Sequence, residues 1–263
     1  MREVPRTTYS KSHLSIGFGF SSIANDYKIV KFSVSGSYFY ESRGSYRAYK
    51  KGVNGVLVYS LHTGLWKDVE FGNIKDLYIY SETATDNNNG TIIWLAQNLN
   101  DESGIMVSFD IEMEVFTLIP RPALYTSSIC IPTFHENKPA ILSYSVIGNS
   151  QSGFIHLWVV EENRCAFGGG IWTWTKKYSS SPNLYPYYLI PLNTWRNEIV
   201  CTVSLQSEFV RRTEKYGEAL KDRGRTLYLL TLATNEIKKF VMINNNGGFG
   251  ILNYVESIVP VGT

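Results

Sequence analysis

The chain consists of short runs in which apolar and polar residues alternate, separated by turn-forming residues. Residues 27–32, YKIVKF, form such a run, and the turn formers Ser21, Ser22, Asn25 and Asp26 precede it. A period of two residues indicates a half-buried strand, whereas hardly any segment shows the helical period. The pattern therefore predicts an all-β protein.

The runs group into four sets of about four strands, with one further run near the C-terminus. The predicted strands are residues 16–20, 27–34, 55–61 and 65–70; 77–80, 91–96, 105–111 and 115–120; 127–134, 140–146, 154–161 and 171–177; 187–192, 198–205, 226–233 and 236–243; and 251–259. Sets of equal size suggest a structure built from repeated sheets.

One sequence pattern recurs along the chain and supports this grouping. Residues 59–66, YSLHTGLW, and 109–116, FDIEMEVF, share the order aromatic, polar, aliphatic, three mostly polar residues, aliphatic, aromatic, and begin 50 residues apart. Trp158 follows Phe109 after a further 49 residues, and the similar segment 230–237 begins 72 residues later. A period of about 50 residues is typical of kelch-type propeller blades.

We therefore predict a small or incomplete kelch-like β-propeller of about four four-stranded units, closed by the C-terminal strand 251–259. Joining the chain ends in one sheet would remove an exposed strand edge. A two-sheet β-sandwich is the alternative, because short strands with regular turns suit both architectures.

The residues of the repeat are expected to serve the fold. An aromatic residue at a fixed place in each repeat packs between neighbouring sheets, and these positions are Tyr59, Trp66, Phe109, Phe116 and Trp158. Asp110, with the matching Ser60 and Thr231, falls where a strand enters a turn. There a short polar side chain can accept hydrogen bonds from nearby backbone N–H groups.

Two glycines near the N-terminus raise the question of a phosphate-binding loop. They open the stretch 17–32, GFGFSSIANDYKIVKF, with the spacing G-x-G. A phosphate loop needs a strand before the glycines and a helix after them, because backbone N–H groups at a helix N-terminus hold the anion. The turn formers and strand formers that follow favour a β-hairpin instead, so no nucleotide cofactor is expected.

Composition and charge exclude several classes of function. The net charge of the 263 residues is +2, which is too small for a nucleic-acid-binding surface. Cys130, Cys165 and Cys201 are odd in number and widely spaced, so neither a disulfide framework nor a zinc site is expected. Reduced thiols favour a cytoplasmic or nuclear location. No apolar run approaches the ~20 residues of a membrane helix, so no membrane partner is expected.

A catalytic site would have to be assembled from scattered groups. Asp110, Glu112 and Glu114 alternate along one potential strand face, and paired carboxylates are the machinery of glycoside hydrolysis. A solvated strand face explains them better. The four histidines lack metal-ligand spacing, and they are His13, His62, His135 and His156. We therefore expect no enzyme, no metal site and no cofactor.

Six segments in register resemble the plant F-box-associated domain, as found in S-locus F-box-like proteins among others. These segments are GFGFSSIANDYKIVKF, VLVYSLHTGLWKDV, GTIIWLA, MVSFDIEMEVFTLIPRP, IHLWVVEE with IWTWTKKYS, and NYVESIVPV. The resemblance runs from about residue 17 to residue 261. It implies a domain at residues 17–263, preceded by a short segment, residues 1–16, without an F-box.

The resemblance also implies a function. In such proteins a helical F-box binds the Skp adaptor of a cullin ubiquitin ligase, and this domain captures the protein to be ubiquitinated. The chain is thus expected to bind a target protein, and to meet the Skp adaptor only if an F-box lies upstream. The alternative is a stand-alone propeller that binds a small ligand or a carbohydrate.

Two segments are candidates for contact with a partner. Residues 35–52, SGSYFYESRGSYRAYKKG, are far longer than a hairpin connection requires. Their mixture of Tyr with Ser, Gly and Arg is typical of recognition loops, although an insertion without function has the same appearance. The second segment, 206–224, is basic and suits an acidic partner, although a solvated, partly helical loop has the same composition. The candidate partner-binding residues are Tyr38, Tyr40, Tyr46, Arg47, Tyr49, Arg211, Arg212 and Tyr216.

Overall fold

The computed structural model describes residues 15–34, 39–40, 46–47, 52–86, 90–123, 129–146, 153–164, 170–180, 189–203 and 226–241. These residues form strands, turns and a short 3-10 helix at Gly72–Ile74. The strands are β1 (Ile16–Ser21), β2 (Asp26–Val34), β3 (Phe39–Tyr40), β4 (Tyr46–Arg47), β5 (Val53–Ser60), β6 (Trp66–Asp68), β7 (Leu77–Asp86), β8 (Thr91–Asn98), β9 (Gly104–Asp110), β10 (Val115–Pro120), β11 (Ile129–His135), β12 (Lys138–Val146), β13 (Gly153–Arg164), β14 (Gly170–Ser179), β15 (Leu189–Trp195), β16 (Glu198–Val203), β17 (Thr226–Thr231) and β18 (Ile237–Val241).

Sixteen of these strands form four antiparallel sheets of four strands each. The sheets are β1-β2-β5-β6, β7-β8-β9-β10, β11-β12-β13-β14 and β15-β16-β17-β18, and β3 pairs with β4 separately. Neighbouring strands in each sheet follow one another along the chain, apart from the insertion that contains β3 and β4. The predicted four units of four strands are confirmed, and the two-sheet sandwich is wrong. The predicted closing strand 251–259 lies outside the described residues.

The chain divides into two compact units, each built on two of the sheets. Unit 1 comprises Met1–Pro122 and Val255–Thr263, and unit 2 comprises Ala123–Tyr254. The first two sheets therefore belong to unit 1 and the last two to unit 2.

The core of unit 1 contains aromatic side chains from both of its sheets. Phe32 meets Trp94 edge to face with ring centroids 4.9 Å apart, and Phe109 lies 4.7 Å from Phe116. Phe32 and Phe116 are 5.9 Å apart, which joins the two pairs. All four side chains are buried. Rings of this size bury ~150–250 Å² each, so this aromatic group contributes a large part of the apolar area that unit 1 removes from water.

The first glycine of the G-x-G pair is explained by this core. A Cβ atom at Gly17 would lie 2.4 Å from Cζ2 of Trp94, much closer than two carbon atoms can approach. Trp94 is fully buried, so its indole cannot move away at low cost. Gly17 in β1 thus lets the first strand approach Trp94 of β8, and the pair belongs to a hairpin, as the sequence indicated.

The core of unit 2 is mainly aliphatic and is supplemented by a polar contact between strands. Buried residues of its two sheets include Leu157 in β13 and Leu230 in β17. The hydroxyls of Thr133 in β11 and Thr194 in β15 lie 2.7 Å apart, and Thr194 Oγ1 donates to the carbonyl oxygen of Phe134 at 2.7 Å. These bonds join the two sheets of unit 2 through uncharged groups.

The described cysteines are free thiols. Cys201 is fully buried, and burial raises the pKa of its thiol far above the ordinary value, so it stays protonated and unreactive. Cys130 is half-buried, and Cys165 lies outside the described residues. No helix among the described residues is long and apolar enough to cross a membrane.

Candidate recognition surface

The tyrosine-rich insertion forms a short ribbon where the structure describes it. β3 and β4 pair antiparallel, so that Tyr40 is opposite Tyr46 and Phe39 is opposite Arg47. The insertion leaves the sheet after Val34 and returns at Val53, two residues that face each other across β2 and β5. It therefore extends from one end of the first sheet.

The other candidate partner-binding residues lie outside the described ranges. They are Tyr38, Tyr49, Arg211, Arg212 and Tyr216.

The opposite end of unit 1 is formed by hairpin turns that share one geometry. In the turn after β5 the backbone N–H of Gly64 donates to the carbonyl oxygen of Ser60 at 2.9 Å, and Gly64 has a φ of +73°. In the turn after β9 the backbone N–H of Glu114 donates to the carbonyl oxygen of Asp110 at 2.8 Å, and Glu114 has a φ of +55°. Each turn therefore closes on a residue in the left-handed region.

The same turn recurs in unit 2 after β17. There the N–H of Asn235 donates to the carbonyl oxygen of Thr231 at 2.9 Å, and Asn235 has a φ of +57°. The strand residues that flank the three turns face each other as Tyr59 and Trp66, Phe109 and Phe116, and Leu230 and Ile237. The repeat seen in the sequence is thus a repeated hairpin between the third and fourth strands of a sheet.

Trp158 takes a different place from Tyr59 and Phe109. It lies in the third strand of its sheet, but in mid-strand rather than beside the turn, since β13 continues to Arg164. The partner opposite it is Lys176, and a register shift lies between Leu157 and Trp158. Its side chain is half-buried, with the Lys176 ammonium 5.2 Å from the ring centroid.

The polar residue before each turn acts in two of the three hairpins as the sequence predicts. Ser60 Oγ accepts from the N–H of Thr63 at 3.0 Å. Asp110 Oδ1 accepts from the N–H groups of Glu112 and Met113 at 2.8 and 2.9 Å. Thr231 differs, because its hydroxyl donates to the carboxylate of Glu198 on the neighbouring strand β16 at 3.3 Å.

The acidic residues of the β9–β10 turn join the two sheets of unit 1. Glu112 Oε1 accepts from the Ser22 hydroxyl at 2.7 Å and from the N–H groups of Ser22 and Ile23 at 3.1 Å each. The bond from the Ser22 hydroxyl is the largest of the causes that hold the pKa of Glu112 below its usual value. Glu112 therefore fastens the β1–β2 turn to the β9–β10 turn as a carboxylate.

Glu114 forms a second connection between the same sheets. Its carboxylate lies 3.0 Å from Lys28 Nζ and 2.7 Å from Lys67 Nζ. Burial by itself would raise the pKa of Glu114, but the hydrogen bonds from Lys67 and Lys28 outweigh it and lower the pKa. These ion pairs offset the cost of placing a glutamate at positive φ, where the other two hairpins have glycine and asparagine.

The interpretation of these carboxylates as one strand face is wrong, because Glu112 and Glu114 lie in the turn between β9 and β10. Both serve as acceptors of structural hydrogen bonds, which leaves neither poised as an acid or a base. Among the described residues, no group of three or more His, Cys, Asp or Glu side chains could hold a metal ion.

Three exposed aliphatic side chains lie in these turns, at positions to which the repeat pattern assigns no role. Ile23 is 79% exposed, Leu65 68% and Met113 70%. A signal for them was present, because each is a large aliphatic residue inside a segment of turn formers. We refer to this region, the turns 22–25, 61–65 and 111–114, as the turn end of unit 1.

Likeness to solved structures is distant. A protein described as a dipeptidyl aminopeptidase IV from Bacteroides ovatus matches with a TM-score of 0.40 and 13% identity, over 84% of this chain and 32% of that one. Dipeptidyl peptidase 4 of Porphyromonas gingivalis matches with a TM-score of 0.38 and 12% identity, over 84% and 30%. The chain thus spans about a third of the length of each peptidase. Among curated proteins, none matches this chain.

A family model accounts for most of the chain. The model of the F-box associated beta propeller domain matches residues 1–205, well over half of the sequence. This domain is a recognition domain and not a catalytic one, and the four four-stranded sheets agree with its propeller fold. The chain belongs to the family of F-box associated β-propeller domains.

Proposed function

We propose that this chain is the target-binding part of a Skp-cullin-F-box ubiquitin ligase and captures a protein for ubiquitination. The observation that carries this proposal is its membership of the F-box associated β-propeller family. In such a ligase a helical F-box binds the Skp adaptor, while the β domain binds the target.

The structure supports a binding role for the insertion between β2 and β5. The ribbon of β3 and β4 has Tyr40 opposite Tyr46, within an insertion that leaves the first sheet after Val34 and returns to it at Val53 of the well-buried β5. Tyrosine supplies a large contact area with few rotatable bonds, and such residues carry much of the energy of protein interfaces. We propose that the tyrosines of residues 35–52 contact the target.

Capture is tested by purifying the target on the full chain, identifying it by mass spectrometry and measuring its Kd with purified proteins. Replacing Tyr38, Tyr40, Tyr46 and Tyr49 together by Ser should raise the Kd by about a hundredfold or more, because rigid aromatic anchors are lost. The matched control replaces the same four residues by Phe, which keeps the rings and should have a much smaller effect.

Two results would contradict this assignment. A large fall in melting temperature with unchanged target binding would make the tyrosines part of the core. Saturable thermal stabilisation by a carbohydrate, without any protein target, would support the ligand-binding alternative.

The ligase role is tested separately by fusing a helical F-box ahead of Met1. The fusion should bind the recombinant Skp adaptor and support ubiquitination of the identified target, whereas the 263-residue chain should bind the target alone. A stable complex between the unfused chain and the adaptor would refute this division of roles.

A further inference from the structure

The turn end of unit 1 differs from an ordinary protein surface in its exposed aliphatic residues. Each of its three turns carries one large aliphatic side chain that is at least two-thirds exposed, namely Ile23, Leu65 and Met113. Val115, directly after the third turn, is 54% exposed. Single exposed apolar residues are common, but a group of them on adjacent turns marks an interaction site.

The turns of unit 2 that the structure describes show that this exposure is not a general property of the hairpins. The β11–β12 turn exposes Glu136 and Asn137, and the β15–β16 turn exposes Arg196 and Asn197. The exposed residues of the β17–β18 turn are small or polar and span 233–236. Among the described residues of unit 2, the large exposed apolar side chains are Ile129 and Ile171, in strands, and Trp195, which ends β15 beside a turn. None of them lies within a described turn of unit 2.

The three turns of unit 1 are held side by side. Glu112 joins the turn that contains Met113 to the turn that contains Ile23, through its bond to the N–H of Ile23. Lys67, two residues after Leu65, donates to Glu114 of the same β9–β10 turn. The aliphatic side chains therefore sit on a fastened backbone, and docking would cost little ordering of the protein.

The charge of this surface indicates what docks on it. The segments 21–28, 60–67 and 110–115 contain four carboxylates, Asp26, Asp110, Glu112 and Glu114, against Lys28 and Lys67, a net charge of −2, whereas the whole chain carries +2. Both lysines pair with Glu114. Asp110 and Glu112 accept hydrogen bonds only from uncharged backbone and hydroxyl donors in the described contacts. The charge of Lys28 also lowers the pKa of Glu112, but Lys28 and Lys67 together leave these segments with a net charge of −2.

We propose that the turn end of unit 1 is a docking surface for a basic segment of a partner protein that carries aliphatic side chains. The aliphatic groups of that segment pack on Ile23, Leu65 and Met113, and its lysines or arginines lie beside Asp110 and Glu112. The inference rests on the proposed function in one respect, that the occupant is a protein. It adds a second contact area at the end of the sheets opposite the tyrosine-rich insertion.

The probes are two labelled synthetic peptides with identical aliphatic positions, one with lysine and arginine and one with glutamate at the positions between them. Binding to the full chain is followed by fluorescence anisotropy. The basic peptide should bind at least about tenfold more tightly than the acidic one, and its affinity should fall as salt is raised to about 1 M. Equal binding of the two peptides, or binding of neither, would overturn the proposal.

Substitutions locate the surface. Ile23→Ser, Leu65→Ser and Met113→Ser should each raise the Kd of the basic peptide by about three- to tenfold. The triple variant should abolish binding of this peptide. Ile129→Ser and Ile171→Ser are matched controls, because these strand residues of unit 2 are 49% and 55% exposed. Unchanged melting temperatures show that all variants fold. If the turn variants bind the basic peptide as tightly as the control variants do, the proposal is overturned.

Other occupants are separate outcomes that also overturn it. Concentration-dependent dimerisation in light scattering that the triple variant abolishes would assign the surface to a second copy. Flotation with anionic or neutral vesicles that depends on the three aliphatic residues would assign it to a membrane. The tyrosine variants should leave peptide binding intact, so target capture and the turn end can fail independently.

Discussion

The two units of this protein use the same four-stranded sheets but join them with different chemistry. In unit 1 the contacts between sheets include charged groups, with Glu114 paired to Lys28 and Glu112 bound to the β1–β2 turn. In unit 2 the contacts between sheets that the structure describes are uncharged, such as Thr133 with Thr194, and Tyr178, whose hydroxyl donates to Asn235. Sheet architecture therefore does not determine how sheets are joined. The contacts between sheets should depend on pH in unit 1, where they include carboxylates, and not in unit 2.

The difference also has a consequence at the surface. Because Glu112 and Glu114 occupy the β9–β10 turn of unit 1, they leave Met113 between them with its side chain in solvent. In the matching turn of unit 2 the left-handed residue is Asn235, whose amide accepts from Tyr178. One turn geometry thus supports a charged and aliphatic surface in one unit and an internal contact in the other.

Loss of a large core residue beside the shared turn should have the largest effect on stability, and it should be similar in the two units. Phe109→Ala in unit 1 should lower the free energy of unfolding by ~3–5 kcal/mol, and Leu230→Ala in unit 2 by ~2–5 kcal/mol, because both side chains are fully buried. Urea denaturation measures both. Met113→Ala, in an exposed position of the same hairpin as Phe109, is the control, and costs below about 1 kcal/mol for the core variants would contradict the shared role.

The approach of β1 to Trp94 should be the next most sensitive feature of unit 1. Gly17→Ala should destabilise the protein by ~1–3 kcal/mol, since the added Cβ would lie 2.4 Å from the indole. Gly55→Ala is the matched control in the same sheet, because its Cβ would meet no atom closer than 3.6 Å. A thermal melt in which the two variants behave alike would show that β1 can shift away from Trp94.

The ionic contact of unit 1 should make part of its stability depend on pH. The pKa of Glu114 is lowered from the ordinary value of 4.5, so its contribution is present above that pH and is lost as the pH falls through the folded-state pKa. Glu114→Gln should cost ~1–2 kcal/mol at neutral pH and progressively less in acid.

Thr133→Val tests the uncharged contact between the sheets of unit 2. It removes uncharged hydrogen bonds and should also cost ~1–2 kcal/mol, but by the same amount at neutral and acid pH. Urea denaturation at a series of pH values measures both variants. Parallel pH profiles for Glu114→Gln and Thr133→Val would contradict the distinction between the units.

The smallest expected effect is a change in the titration of His156 in unit 2. Burial first, and the Lys176 ammonium second, lower the pKa of His156 below 6.5. Lys176→Met should therefore raise that pKa, yet leave it below 6.5, because burial remains. NMR titration of the imidazole measures the shift, with Lys177→Met as the control at an exposed neighbouring position. An unchanged pKa of His156 in Lys176→Met would show that the Lys176 charge has no effect on it.

Local pattern predicted the strands well, because the alternation of apolar residues and the turn formers act over a few residues. The segment 115–120 was predicted with the bounds that β10 has, and 230–237 was correctly aligned with the other hairpins. The alignment did not place Trp158 beside a turn, because β13 runs on to Arg164 and contains a bulge. A spacing along the sequence does not reveal how far a strand continues.

The sequence by itself determined the all-β class, the four sets of four strands and the repeated hairpin, since each depends on residues close together in the chain. Only the tertiary structure decided what the turn residues do. Glu112 accepts a hydrogen bond from Ser22, 90 positions away in the sequence, and Gly17 contacts Trp94 of the neighbouring sheet. Such contacts depend on how one sheet packs on the next, and no local pattern of apolar and polar residues records that packing.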